Sequence, residues 1–124
     1  MTLLGRIIDG HGHCSQWPDH LLWHYQRLSG LALIKGTLNV ELGEECSLPS
    51  SSRRLRASEW GGEDSVLLTR CWVNDYPAVI VRTERNEVGI GPVPKTILEV
   101  ASDVMLRDQL NLRTGDAVSV TIDV

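Results

Sequence analysis

The sequence lacks an apolar run long enough to cross a bilayer, and its first residues lack the extended apolar stretch and cleavage site of a signal peptide. A membrane-spanning helix needs about 20 consecutive apolar residues, and a secretory signal needs a basic start followed by an apolar segment. We therefore expect a soluble, cytoplasmic protein that has no membrane partner.

Cysteine is also scarce, since the chain has only Cys14, Cys46 and Cys71. An odd number of cysteines at wide spacing does not suit the paired disulfide framework of a small secreted domain. The pattern favours a reduced protein over a disulfide-stabilised one.

Basic charge is not in excess, because 12 lysines and arginines face 16 aspartates and glutamates, which gives a net charge of -4 and a pI near 5.5. Binding to nucleic-acid phosphates depends on clustered basic side chains, so we expect no nucleic-acid partner. No feature of the sequence indicates an obligate protein partner. The length of 124 residues fits a single domain over residues 1–124, and such a domain buries about two thirds of its unfolded surface.

Short, largely apolar runs, separated by glycine, asparagine and proline, predict a chain dominated by β-strands. The predicted strands cover residues 3–8, 36–42, 65–73, 78–83, 88–91, 98–101 and 117–122. Leucines at helical spacing predict a helix over residues 15–29, capped by Ser15, and a brief helix that Asp103 caps and Leu110 ends. Residues 43–62 are predicted to form a surface excursion.

The strand at residues 36–42 carries a row of oxygen-bearing side chains on one face, namely Thr37, Asn39 and Glu41. Side chains on a strand alternate, so the residues between them point into the core: Leu38, Val40 and Leu42. A hydroxyl and an amide carbonyl are hard ligands that suit a magnesium ion. From the spacing alone, a solvated strand face is the commoner interpretation.

A glycine-containing loop follows the first predicted strand, with Gly10 and Gly12 on either side of His11. Such glycines allow the backbone to approach a phosphate closely, as they also allow many ordinary turns. His11, His13 and Cys14 raise the alternative of a zinc site. The chain has no second pair of ligands at zinc spacing, so we favour solvated loop histidines.

Together these segments resemble the archaeal-type CTP-dependent riboflavin kinases over nearly the whole chain. The most specific parts are the Gly-Thr-Leu-Asn segment and the Leu-Arg segment with its Gly-Asp turn. The matching motifs occur in the same order as in that family: Gly10-His11-Gly12, Gly36-Thr37-Leu38-Asn39, Tyr76-Pro77-Ala78, Pro94-Lys95-Thr96, Glu99, the segment 106–112, and Gly115-Asp116.

The resemblance implies a mainly β fold, a small six-stranded cradle-loop (riboflavin kinase-like) β-barrel with short peripheral helices. It implies an enzyme that transfers the γ-phosphoryl group of CTP to riboflavin, giving FMN and CDP with magnesium as the cofactor. CTP and riboflavin are the expected substrates, and the residues leave open whether CTP is preferred to ATP.

The resemblance also implies residue roles. Thr37 and Asn39 fall at the family's magnesium positions, and Thr96 and Glu99 fall at its flavin-binding positions. Glu41, on the same strand face as the proposed ligands, is our candidate for the catalytic base. The nucleotide-binding positions are Gly10, His11, Gly12, His13, Cys14, Ser15, Val104, Met105, Leu106 and Arg107.

Two alternatives stay open beside the kinase. Trp72 stands where the family has a small glycine, and the segment between Thr96 and Glu99 is shorter than usual, so a noncatalytic barrel that binds a flavin, a nucleotide or another small ligand is one alternative. The other is a DNA-binding regulatory barrel of the swapped-hairpin type, which residues 104–122 resemble. The acidic net charge counts against it.

Overall fold

The structure is a computed structural model that describes residues 1–10 and 17–123. Short apolar runs between turn residues form the strands, which are β1 Thr2–Ile8, β2 Leu38–Leu42, β3 Arg53–Leu55, β4 Val66–Val73, β5 Tyr76–Thr83, β6 Ile97–Ala101 and β7 Ala117–Ile122. The helices are α1 Asp19–Ser29, α2 Ala57–Trp60, α3 Glu84–Glu87 and α4 Leu106–Gln109.

Six strands close into an antiparallel barrel in the order β4-β5-β6-β2-β1-β7, and β7 pairs back onto β4. The edge of β4 that closes the barrel is shared between two partners. Its first part, Val66 to Leu68, pairs with β3, and its last part, Cys71 to Val73, pairs with β7. The predicted six-stranded barrel with short helices is confirmed, and β3 is a seventh strand attached outside it.

The interior of the barrel is filled by the inward side chains of every barrel strand. Alternation produces this core, because residues of one parity on each strand share the inner face. The fully buried members include Ile7, Val40, Cys71, Val73, Ile80, Leu98, Val100 and Val120.

A second core lies outside the barrel, between α1 and the outer faces of β4 and β5. Leu21 and Tyr25 of α1 are buried there against Val66, Val79 and Val81. Gly30 ends the helix in the left-handed conformation with φ 73°, as its position after the last helical leucine predicts. Since β5 is covered on both sides, its residues Ala78 to Arg82 are all buried.

One predicted strand is wrong. Residues 84–87 form the helical turn α3, and residues 88–91 are not a strand. The hydroxyl of Thr83 caps this turn by accepting a hydrogen bond from the Asn86 amide. The Asn86 side chain then accepts from the Val93 amide, so the chain wraps around Asn86 instead of extending.

Two helix starts and one predicted loop also differ from their predictions. Helix α1 begins at Asp19 after the N-cap Pro18, whereas Ser15 lies outside the described residues. Asp103 does not cap α4, whose N-cap is Met105, because the Asp103 carboxylate accepts from side-chain hydroxyls instead. The predicted excursion at residues 43–62 contains β3 and α2.

The helices in the described part of the chain are all too short or too polar to cross a membrane.

Gly5 provides a test of interior packing. A β-carbon at this position would lie 2.6 Å from Val40 Cγ1 and 2.8 Å from the backbone oxygen of Glu41. We expect Gly5→Ala to lower the free energy of unfolding by about 1–3 kcal/mol, the usual cost of overpacking a filled core. Chemical denaturation would measure the change. Gly43→Ala is the matched control, since nothing lies within 4 Å of a β-carbon there, and equal effects of the two substitutions would contradict the packing.

The buried thiol of Cys71 predicts an alkaline loss of stability. Burial raises the pKa of Cys71 from 9.0 to about 12, so the folded protein keeps a proton that the unfolded chain releases. Stability therefore falls as the pH rises through this interval. Between about pH 8 and about pH 10 the wild type should lose about 1.4 kcal/mol more than Cys71→Ala. Denaturation at each pH measures this, and parallel profiles would show that Cys71 does not contribute.

Candidate functional site

The candidate site follows the outer face of β2, which we call the outer strip and define by Thr37, Asn39 and Glu41. Leu38, Val40 and Leu42 are buried, as the alternation predicts. Thr37 and Asn39 are half-buried, whereas Glu41 is exposed. Thr37 lies just before β2 and not within it.

Pairing with the neighbouring strands brings Glu99 to the middle of the outer strip. Asn39 lies opposite Ile8 of β1 on one side and opposite Glu99 of β6 on the other. Cross-strand neighbours on one face have β-carbons about 5 Å apart. A predicted metal position and a predicted flavin position, far apart in sequence, are therefore adjacent in the barrel.

Gly10 lies directly against the outer strip. A β-carbon at Gly10 would overlap the side-chain amide of Asn39, so a larger residue there would require the Asn39 side chain to move. The other loop residues predicted to bind a nucleotide lie outside the described residues: His11, Gly12, His13, Cys14 and Ser15.

At the Thr37 end, the outer strip meets the second predicted nucleotide segment. A cleft of about 50 Å³ separates the two, and Thr37 lies on one of its walls. The cleft is also lined by the four predicted residues Val104, Met105, Leu106 and Arg107. Tertiary structure thus joins two segments about 70 residues apart, as the register of antiparallel β2 and β6 requires.

The turn that leads into this segment is held by the hairpin between β4 and β5. The buried Ser102 hydroxyl donates to the Pro77 carbonyl oxygen at 2.8 Å, and the Tyr76 hydroxyl donates to Asp103 at 3.0 Å. The hydrogen bond to Asp103 raises the pKa of Tyr76. Sequence reasoning assigned no role to the Ser102 and Tyr76 side chains, although the Tyr-Pro motif was visible.

A second network anchors the base of the glycine loop. Arg107 donates to the Ile8 carbonyl oxygen at 3.2 Å and lies 3.5 Å from the Asp9 carboxylate. The Thr114 hydroxyl bridges the two charged groups, at 2.6 Å from Asp9 and 3.2 Å from Arg107. The Gly-Asp turn adds a backbone hydrogen bond from Gly115 to Ile7. The two predicted nucleotide segments are thereby linked.

At the other end of the outer strip lies Thr96, in the turn before β6. The backbone amide of Leu42 donates to the Thr96 carbonyl oxygen at 2.7 Å. Thr96 therefore lies opposite Leu42, one residue beyond Glu41, whose own partner on β6 is Ile97. With a rise of about 3.3 Å per residue, Thr37 and Glu41 are separated by about 13 Å.

A buried arginine fastens the turn that carries Thr96. The Arg82 side chain is 4% exposed and forms an ion pair of 2.7 Å with Glu87. It also donates to backbone carbonyl oxygens of Cys46, Lys95 and Ile97. Sequence reasoning missed this cluster, and the available signal was a single charge at the end of an otherwise apolar strand.

Hard oxygen donors make the middle of the outer strip chemically suitable for magnesium. The Thr37 hydroxyl and the Asn39 amide carbonyl are neutral oxygen groups of the kind that could hold the ion, and Gly10 lies against the Asn39 side chain. Mg²⁺ is usually bound through few protein groups, with water and phosphate oxygens completing its shell. Among residues 1–10 and 17–123, no three His, Cys, Asp or Glu side chains cluster as a metal site.

Trp72 does not enter the outer strip. It lies on the outer side of β4, paired with Pro77 and Thr121. Strand β4 is separated from β2 by β5 and β6 in one direction and by β7 and β1 in the other. The tryptophan at this position therefore does not place its side chain in the candidate site.

Comparison with known proteins agrees with the motif order. The family model CTP-dep_RFKase, described as domain of unknown function DUF120, matches residues 7–122. The riboflavin kinase of Saccharolobus solfataricus is 33% identical over 135 residues, which cover 100% of this chain and 75% of that protein. The riboflavin kinase of Thermoplasma volcanium is 31% identical over 134 residues, which cover 98% of this chain and 57% of that protein.

A third relative, the riboflavin kinase of Pyrobaculum aerophilum, is 28% identical over 139 residues, covering 98% of this chain and 60% of its own length. The chain thus spans three quarters of the first relative and less than two thirds of the other two.

Proposed function

The chain belongs to the archaeal-type CTP-dependent riboflavin kinase family, and we propose that it transfers the γ-phosphoryl group of CTP to the terminal hydroxyl of riboflavin. The products are FMN and CDP. The observation that carries the proposal is the order of groups along the outer strip. Residues 104–107 share a cleft with Thr37, Gly10 lies against Asn39, and Glu99 lies opposite Asn39. The proposed flavin residue Thr96 lies opposite Leu42, one residue beyond Glu41.

The nucleotide is bound at the Thr37 end in this proposal. Gly10 and the loop residues 11–15 supply backbone amides to the phosphates, and residues 104–107, beside Thr37, contact the rest of the nucleotide. Arg107 is tied to Asp9 and Thr114, so it fixes the spacing of the two segments. Alignment of this kind provides much of the rate in phosphoryl transfer.

Thr37 and Asn39 are the proposed ligands of the magnesium ion. When bound, the ion supplies charge stabilisation to the phosphate oxygens during transfer. The position of Asn39, pressed against the Gly10 backbone and opposite Glu99, supports this assignment because the ligand is held next to the phosphate loop. The proposal explains why a neutral hydroxyl and a neutral amide occupy an otherwise ordinary strand face.

Riboflavin is bound at the Thr96 end, where Thr96 and Glu99 hold it. Its terminal hydroxyl oxygen attacks the γ-phosphorus, the bond from that phosphorus to the bridging oxygen breaks, and CDP leaves. Glu41 accepts the proton of the hydroxyl in this scheme, because its carboxylate is exposed and lies between Thr96 and Asn39 along the strip.

The direct test is a chromatographic assay for FMN after the protein is incubated with riboflavin and magnesium. CTP, ATP, GTP and UTP are supplied in separate reactions. We expect FMN to form preferentially with CTP. Absence of FMN with every nucleotide, from protein whose folding has been verified, would overturn the kinase. Stabilisation by riboflavin or CTP without turnover would then identify a noncatalytic binding barrel, and a salt-dependent gel shift would identify a DNA-binding one.

Substitution of the proposed metal ligands tests the magnesium site. Thr37→Ala and Asn39→Ala should each reduce magnesium-dependent transfer by at least about tenfold, or ~1.4 kcal/mol. Neither should change the melting temperature much, since both side chains lie off the core face.

Thr121→Ala is the control for these variants, because it removes a hydroxyl from the outer side of β7, where the Thr121 hydroxyl is hydrogen-bonded to the exposed Thr2 hydroxyl at 3.0 Å. It should keep wild-type turnover and its magnesium dependence. Full activity in either Thr37→Ala or Asn39→Ala would show that the ion is held elsewhere.

A further inference from the structure

We infer that Arg82 is a positioning residue for the riboflavin end of the site, and that it acts by fixing the backbone of residues 95–97. The inference rests on the proposed function for its substrate. The positioning role itself is inferred from the hydrogen bonds of the buried Arg82 guanidinium group. The side chain continues the inward-facing row of β5 after Ala78 and Ile80 and so lies at one end of the barrel.

The guanidinium group contacts three separate stretches of chain. Nη1 donates to the Cys46 carbonyl oxygen at 2.6 Å and to the Glu87 carboxylate at 2.7 Å. Nη2 donates to the carbonyl oxygens of Lys95 at 3.3 Å and Ile97 at 3.2 Å. One side chain therefore joins β5, the segment after β2, helix α3 and the start of β6.

Each backbone carbonyl oxygen of residues 95–97 accepts a hydrogen bond. Lys95 accepts from Arg82 and from the Cys46 amide, Thr96 accepts from the Leu42 amide, and Ile97 accepts from Arg82. Thr96 is thus flanked on both sides by residues that the same guanidinium holds. The orientation of its side chain depends on Arg82, although Arg82 is not on the outer strip.

Arginine suits this position because its planar group carries five donors in a fixed fork. A lysine has the same charge, but its three donors share one nitrogen, so it cannot reach all four oxygens that the two guanidinium nitrogens of Arg82 contact. Glu87 balances the charge and also accepts from the Leu48 amide, which ties the segment after β2 to α3. A buried arginine without such a partner would be strongly unfavourable.

The nucleotide end does not depend on this cluster. The turn before α4 is held by Ser102 and Tyr76, and the glycine loop is anchored through Arg107. Ser102 lies at the opposite end of β6, about 20 Å from Thr96 at about 3.3 Å per residue. Arg107 bonds to Ile8 on β1, which lies on the other side of β2 from β6 and opposite Asn39. Loss of the Arg82 fork should therefore weaken riboflavin binding and leave nucleotide binding unchanged.

The chain offers a matched control on the same helix. Arg54 pairs with Glu84 of α3 at 2.7 Å, but both side chains are exposed and make no contact with residues 95–97 in the described structure. Arg54→Lys and Glu84→Gln therefore change the same chemical groups at a site that should not affect Thr96.

The experiment measures riboflavin affinity by flavin fluorescence and CTP affinity by calorimetry, well below the melting temperature of each variant. Arg82→Lys should weaken riboflavin binding by about tenfold, as expected for a misplaced binding group, with CTP affinity within about twofold of wild type. Glu87→Gln keeps the shape of the side chain but removes its charge, and it should weaken riboflavin binding by about threefold. This variant replaces Arg82→Lys in the test if Arg82→Lys does not fold. The Arg54 and Glu84 controls should match the wild type.

Amide hydrogen exchange supplies a readout that does not require either substrate. The Cys46 amide, bonded to Lys95, and the Leu42 amide, bonded to Thr96, should exchange faster in Arg82→Lys than in Arg54→Lys. A lower melting temperature with unchanged riboflavin affinity and unchanged exchange would overturn the inference, because Arg82 would then be only structural. If the wild type itself binds no riboflavin, the proposed function fails, whereas wild-type binding with an unaffected Arg82→Lys refutes the positioning role alone.

Discussion

Closure of the barrel is the constraint on which the other features depend. Once β7 pairs with the last residues of β4, every barrel strand has two neighbours and a defined register. A shift of one residue would exchange the inner and outer faces of a strand, so the filled interior holds that register. The outer strip is a consequence, since Thr37, Asn39 and Glu41 face outward only because Leu38, Val40 and Leu42 are needed inside.

Polar side chains organise the two ends of the barrel, where the strand ladder stops. At one end Arg82 bonds three backbone carbonyl oxygens, and at the other Ser102 and Tyr76 hold the turn before α4. Buried polar groups are costly unless they are paired. In the described part of the chain, no buried side-chain nitrogen or oxygen lacks a hydrogen-bond partner. These paired ends are also the places where the proposed substrates bind, which connects the stability of the fold to its chemistry.

Much of the barrel could be predicted from local sequence, and the failures have local causes. Short apolar runs between turn residues located six of the strands. Alternation is clear in β2, which has one face in the core, whereas β5 is a continuous apolar run because both of its faces are covered. The predicted strand at 88–91 is wrong because the Thr83 cap and the Asn86 side chain bend the chain there. Asp103 was predicted to be a cap because aspartate is common at that position, but the nearby Tyr76 hydroxyl binds it instead. Such competition between partners is invisible without the third dimension.

The sequence by itself determined the alternation of β2, the family motifs and the candidate residues of the outer strip. Those features depend on residue type and spacing along one segment, which the chain order states directly. Only the tertiary structure decided that Asn39 lies opposite Glu99, that Thr37 shares a cleft with residues 104–107, and that Arg82 fastens the turn at Thr96. These contacts join segments that are distant in sequence, so they form only in the register of the closed sheet. That register is set by the packing of the whole core and not by any single segment.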